Sequence, residues 1–360
     1  MTKYPPLHYN DYLHIDQILS AQHLKSQEFG KPVHDEMLFI ITHQAYELWF
    51  KQIITELNAM LAVFGKPYVN ESDLASSVLQ IDRIIQIQDL LIRQIPILET
   101  MTPMDFLEFR DFLFPSSGFQ SFQNRLIECK LGLDAKKRLH LGGVSYTKYL
   151  TESQQKIAAK AESEPSLFAL VEKWLERIPF LESHGFNFWQ SYRAAVETVF
   201  QNEKSVVQAN KYLSKSQVDD NIKSIDNNLK VFSAIFDEGS YRRLQDSGQF
   251  RISLKALQGA LFIFLYRDQP ALFLPFKFLT GLTQIDENFT TWRHRHALMA
   301  HRMLGKKIGT GGSSGHDYLA QAAEAHKIFT DFFNLTTFFI PKSVRPELPK
   351  ELVAKLSFNY

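Results

Sequence analysis

The chain has 360 residues, enough for one large domain or for two or three smaller ones. Lysine and arginine total 40 against 39 aspartates and glutamates, so no excess field draws the chain to nucleic acid or to an anionic membrane. The single cysteine, Cys129, excludes an internal disulfide framework and a four-thiolate cluster and suits a reducing, cytoplasmic compartment.

The N-terminus, MTKYPPLHYNDYL, lacks the apolar run and cleavage signature of a secretory signal. Apolar residues then recur at helical spacing, as in Leu38, Ile41, Ala45, Leu48 and Trp49, and strand-like alternation is scarce, so the expected fold class is all-α. Thirty phenylalanines point to a wide aromatic interior able to line a cavity for a flat apolar guest.

Within the first helical segment, Phe39 and His43 are four residues apart, which sets an aromatic ring beside an imidazole on one helix face. A core pair would look the same. Thr102-Pro103-Met104-Asp105 reads as a helix start, with Thr102 as cap, Pro103 at the first helical position and Asp105 closing a box back to the cap. That helix should run to about Leu113 and stop before Pro115. It carries Phe106 and Arg110 at the same four-residue spacing, and a guanidinium there can hold a carboxylate through two parallel bonds or lie on the surface. The turn that follows offers hydroxyls at Ser116, Ser117 and Ser121 and a cation at Arg125, fit for haem propionates, for polar substrate groups, or for a solvated loop. Cys129 stands at the wrong intervals for a cytochrome P450 cysteine loop and reads as a small buried hydrophobe.

From about Ala158 to Arg243 the composition turns polar and charged, as expected of an inserted helical hairpin or small subdomain. The expected organisation is one discontinuous catalytic domain, residues 1–157 and 244–360, interrupted by a subdomain at 158–243. The longest apolar run, GALFIFLY from Gly259 to Tyr266, is too short to span a bilayer. Near the C-terminus the proline-broken Pro341 to Pro349 should wrap the surface.

The stretch from Thr291 to Gly315, TWRHRHALMAHRMLGKKIGTGGSSG, admits four readings. It lacks the Lys-Ser/Thr ending of a phosphate loop. His294 and His296 would grip one metal ion on a strand, but on a helix residues two apart point about 200° apart. A basic surface patch accounts for Arg293, Arg295, His301, Arg302, Lys306 and Lys307 but leaves out His296. On a helical wheel His296 shares a face with Trp292, Met299, Ala300 and Met303. A lone imidazole in an apolar stripe is either a core histidine satisfied by a carbonyl or an axial ligand to a haem, held non-covalently because no C-x-x-C-H occurs.

Taken together, HDEMLFIITHQAYELWFKQI, MTPMDFLEFRDFLFPSSGFQSFQ, WLERIPFLESHGFNFW and WRHRHALMAHRMLGKKIGTGGSSG, with YNDYLHIDQILSAQ near the start, closely resemble the tryptophan 2,3-dioxygenase family from about Tyr9 to Pro341. The resemblance implies the all-helical core of the tryptophan and indoleamine dioxygenases. It also implies one haem b per subunit, ferrous when active, and cleavage of the indole C2–C3 bond of L-tryptophan by dioxygen to give N-formyl-L-kynurenine, the first step of the kynurenine pathway. By residue, it implies His296 as the axial iron ligand, beside Trp292, with Ser117 and Arg125 at the haem edge. It puts His43 at the indole N–H, Phe39 and Phe106 against the substrate, and Arg110 and Thr310 on its carboxylate and ammonium groups. Tyr9 and Tyr12 would complete a neighbouring subunit's pocket in a homotetramer built as a dimer of dimers. Phe106 is tyrosine in many bacterial members and phenylalanine in animal ones, and the polar insertion looks like that of the longer animal-type enzymes. After GTGGSSG this chain reads His316-Asp317-Tyr318-Leu319-Ala320, without the arginine the family usually carries in its lid. Two rivals are a relative that inserts a single oxygen atom into an indole derivative and a haem sensor that binds without turnover.

Overall fold

The computed structural model describes residues 4–134, 150–183, 185–305, 307 and 315–357. Its helices form because apolar side chains recur at helical spacing and most segments open on a side chain that can cap. The N-terminal helices α1 (Tyr9–Leu13) and α2 (Ile15–Leu19) bury nothing. The next, α3 (Lys25–Glu28), is tied to α4 (Asp35–Phe64) by the buried carboxylate of Glu36, which accepts the backbone N–H groups of Lys25 at 2.8 Å and Ser26 at 2.9 Å. After it, α5 (Glu71–Leu98) starts on Asn70, whose side chain accepts the Asp73 N–H at 2.8 Å.

The box expected at Thr102 is formed at the head of α6 (Pro103–Arg110). The Thr102 hydroxyl accepts the Asp105 N–H at 3.3 Å, and the Asp105 carboxylate accepts the Thr102 N–H at 3.0 Å. The chain then tightens into a 3-10 turn at Asp111–Leu113 and ends before Pro115, as the sequence requires. Ser121 caps α7 (Phe122–Leu131), which stops at Gly132 with φ 106°. A Cβ there would lie 2.6 Å from Ser166 Oγ and 2.8 Å from Phe168 Cβ, so glycine permits both the left-handed turn and the close approach of the chain that follows.

That chain holds α8 (Glu152–Ser163), α9 (Leu167–Leu175), the short antiparallel pair β1 (Glu182–Ser183) and β2 (Phe186–Asn187), α10 (Phe188–Ala209), α11 (Lys215–Ser233) and α12 (Glu238–Asp246). The strand pair is the sole sheet among the described residues. Polar α10 and α11 pack against each other as a hairpin. Phe188, Tyr192 and Val196 at the start of α10 nevertheless join the main core, where the Tyr192 hydroxyl donates to the Phe338 carbonyl at 2.6 Å.

The GALFIFLY run ends α13 (Leu254–Leu265), buried from Gly259 to Leu265, with Tyr266 as the residue that follows the helix. Among the described residues no helix is long and apolar enough to cross a membrane. The 35-residue α14 (Pro270–Leu304) begins on Pro270 at its first turn and packs along α5 and α15 (Gly315–Ala325). Two short helices, α16 (Thr330–Leu335) and α17 (Lys350–Leu356), close the fold. Between them the Pro341–Pro349 strap is pinned by Arg345, which donates to the Asp268 carboxylate at 2.6 and 2.9 Å, and by the Tyr266 hydroxyl on the Pro346 carbonyl at 2.7 Å.

One large apolar core runs through α4, α5, α9, α10, α13 and α14, each fully buried leucine, isoleucine or phenylalanine contributing about 1.5–3 kcal/mol. A second cluster of Ile95, Leu98, Met101, Phe109 and Met299 is set off from it. Trp292 packs against both clusters, and Phe39 and Phe106 pack against the second. The cavity described next opens beside these side chains.

Candidate active site

The cavity has room for water centres throughout about 270 Å³, against roughly 10–15 Å³ for a single buried water, so it is a site rather than a packing void. One wall is α4, which presents Phe39, His43, Tyr46 and Phe50; the facing wall is α14, with Trp292, His296, Met299 and Met303. Phe106 of α6 and Leu319 of α15 add apolar surface, and Ser117, Arg125 and Glu128 add a polar side.

His43 stands one turn after Phe39, with ring centroids 4.1 Å apart. Its Nδ1 lies 2.7 Å from the Phe39 carbonyl oxygen. A carbonyl only accepts, so Nδ1 holds the hydrogen and Nε2 of the neutral ring carries a lone pair. Burial lowers the His43 pKa, although the Phe39 carbonyl and Glu47 pull the other way.

His296 is pushed down to about 4, by burial first and by the neighbouring His43 second. It is neutral at ordinary pH, and among the described residues no hydrogen bond engages its ring. Trp292 lies one turn back, with its ring centroid 5.8 Å away. Tyr46, beside Trp292, donates its hydroxyl to the Leu91 carbonyl at 2.6 Å and is raised by burial to about 12, so it is not set up for acid–base work.

The polar side is a buried charge cluster. Glu128 accepts from Arg125 at 2.9 Å, from Arg293 at 3.1 Å and from His326 Nδ1 at 2.9 Å. Burial pushes its carboxyl up, but Arg125, the His326 hydrogen bond and Arg293 outweigh that and hold it well below the usual carboxylate range.

The expected residues therefore divide. Phe39, His43, Phe106, Ser117, Arg125, Trp292 and His296 come together around one cavity. Arg110, half-buried, ends α6 one turn beyond Phe106 and is not among the lining residues. Tyr9 and Tyr12 are 69% and 68% exposed on α1 and are not among the residues lining this cavity. Thr310, with the rest of the GTGGSS run, lies outside the described residues. His294 and His301 are exposed, as expected of the polar side of α14, and His294 lies 3.4 Å from Glu324. Arg293 departs from the expected surface patch: it is 6% exposed, because Glu128 supplies a buried counter-charge. Sequence reasoning also passed over Glu128 and His326; the three-residue step from Arg125 to Glu128 on α7 was the one local sign of the pair.

A sequence model of the tryptophan 2,3-dioxygenase family matches residues 3–339. The chain belongs to that family. The tryptophan 2,3-dioxygenase of Bdellovibrio bacteriovorus is 54% identical over 99% of this chain and 100% of its own length. That of Dictyostelium discoideum is 44% identical over 98% of this chain and 89% of its own. The tryptophan 2,3-dioxygenase B of Danio rerio is 44% identical over 94% of this chain and 84% of its own. Family membership accounts for the all-α architecture.

Proposed function

We propose that this chain carries out the family's reaction, the oxidative cleavage of the indole C2–C3 bond of L-tryptophan by dioxygen to N-formyl-L-kynurenine, the first step of the kynurenine pathway, with a haem b held on His296. The observation that carries this reading is the pairing across one apolar cavity of two neutral imidazoles, one of them engaged by no hydrogen bond among the described residues.

The residues present fit the cofactor. A haem needs a neutral imidazole on its iron, flat apolar walls and a polar edge for its propionates. His296 supplies the first, Trp292, Phe50 and Met299 line the walls, and Ser117 and Arg125 sit on the polar side. When bound, the haem supplies the iron that activates dioxygen.

The remaining steps belong to the chain. His43 accepts the indole N–H through its bare Nε2. Phe39 and Phe106 pack against the indole ring. Arg110 holds the substrate carboxylate by two parallel bonds, and Thr310 takes the amino-acid end beside it. Fixing both ends of the amino acid holds the indole C2–C3 edge in one place, and positioning of this kind supplies much of the rate. A guanidinium committed to the carboxylate also disfavours indoles that lack one, because they would leave that contact unmade.

Exposed Tyr9 and Tyr12 fit a role in a neighbouring subunit's pocket, within a homotetramer arranged as a dimer of dimers. Of residues 158–243, the expected inserted subdomain, the α10–α11 hairpin is the distinct part, while α9 and the start of α10 belong to the main core. The single cysteine fits a cytoplasmic enzyme.

Mixing the reduced protein with oxygen and L-tryptophan and weighing the product tests the reading. A gain of two oxygen atoms is expected. A gain of one would make the protein a monooxygenase of indole derivatives, and binding without product would make it a sensor.

A further inference from the structure

Glu128 on α7, Arg293 on α14 and His326 in the turn after α15 lie 3%, 6% and 1% exposed, and all line the cavity that holds His296. Nothing in the reaction as derived uses them, and burying such charges is costly. Arg293 sits on α14 three residues before His296, and Arg125 is on α7 three residues before Glu128. The carboxylate accepts from both guanidinium groups and from His326, whose Nδ1 must be the donor because an ionised carboxylate only accepts. Asp286 also faces Arg293 from within α14.

We propose that Glu128 and Arg293 are opposing charges that set the reduction potential of the iron held on His296, Glu128 lowering it and Arg293 raising it. The inference rests on the haem reading above. Oxidation of the iron adds one positive charge at the cavity. A carboxylate fixed in the wall stabilises that charge and a guanidinium destabilises it, and in a dry surrounding both act further than they would in water. Neither side chain touches the reacting atoms. Their role is to hold the iron in the range where the ferrous form persists long enough to meet oxygen and substrate.

The test is a spectroelectrochemical titration of the haem-loaded protein and three variants, with haem stoichiometry and circular dichroism measured alongside. E128Q, which keeps shape and an acceptor oxygen but loses the charge, should shift the midpoint potential upward and slow autoxidation. R293Q should shift it downward. The double variant E128Q/R293Q, which loses one charge of each sign, should return close to the parent. Loss of packing alone does not move two variants in opposite directions and cancel in their sum. Should E128Q fail to fold, R293Q below the parent and the double variant back toward it still support the proposal. Singles that shift in the same direction, or loaded variants that keep the parent potential, overturn it. A parent protein that binds no haem overturns the haem reading, and this inference with it.

Discussion

Phe39 and His43 are joined twice on one turn of α4, by rings 4.1 Å apart and by the Phe39 carbonyl 2.7 Å from His43 Nδ1. The backbone bond fixes the tautomer and leaves Nε2 as an acceptor, while burial keeps the ring neutral. A neutral acceptor holds an N–H without having to remove its proton. His43→Ala should therefore lower kcat/KM by about ten- to a hundredfold, the worth of one hydrogen bond in a dry pocket, with haem content unchanged. Complete loss of turnover in the loaded variant would instead make His43 an obligatory base. Because the pKa lies below the usual 6.5, the acid limb of the parent's kcat/KM profile should also fall below that pH.

Arg110→Ala should raise KM for L-tryptophan about ten- to a hundredfold, the range for a lost charge-assisted pair. Haem content should stay at the parent level, since Arg110 is not among the lining residues. Near-parent kinetics in steady-state assays would remove Arg110 from the carboxylate site.

His296→Ala should purify without haem and show no Soret band after reconstitution, because among the described residues no other histidine stands on the α14 side of the cavity. His326, the remaining lining histidine apart from His43, is committed through Nδ1 to Glu128. A parent-like ferrous spectrum in the variant would show that the iron sits elsewhere.

Asp286, 3% exposed, accepts the N–H groups of Ile328 at 2.8 Å and Phe329 at 2.5 Å, and burial raises its carboxyl from 3.8 to about 6. The folded state thus binds this proton more tightly than the unfolded chain does. As pH rises above about 4 the unfolded chain ionises first, so the parent loses stability up to about pH 6 and stays at the lower level beyond it. An asparagine keeps an acceptor and cannot ionise. The stability difference between Asp286→Asn and the parent should therefore move in the variant's favour between pH 4.5 and 7, by about 1–3 kcal/mol. Denaturant melts at the two pH values measure it, and parallel curves would refute the assignment.

Much of the site was legible because it is local. Helical spacing alone pairs Phe39 with His43 and sets His296 in the Trp292 stripe, and the Thr102 box is written in four consecutive residues. The charge cluster was not legible for the opposite reason. Arg293 and His326 reach Glu128 across 165 and 198 residues, and no periodicity records a contact of that separation. A string of basic residues on α14 therefore read as one surface patch, although Arg293 is buried while Arg295 is exposed. Tyr9 and Tyr12 mark a different limit, because both rings are exposed and one chain alone does not show what they meet.

Gly259 decides how closely α13 approaches α9. A Cβ built on it would stand 2.4 Å from the Leu175 carbonyl oxygen and 3.2 Å from its carbon, both backbone atoms that cannot rotate aside. In an exposed helix the change from glycine to alanine stabilises by about 1 kcal/mol. Here the overlap should reverse the sign, because two packed helices must separate to relieve it. Gly259→Ala is expected to destabilise the fold by about 1–3 kcal/mol, read as a lower midpoint in urea at unchanged slope. An unchanged or higher midpoint would mean that α9 shifts freely, and the close packing of these helices would then not be a constraint on the fold.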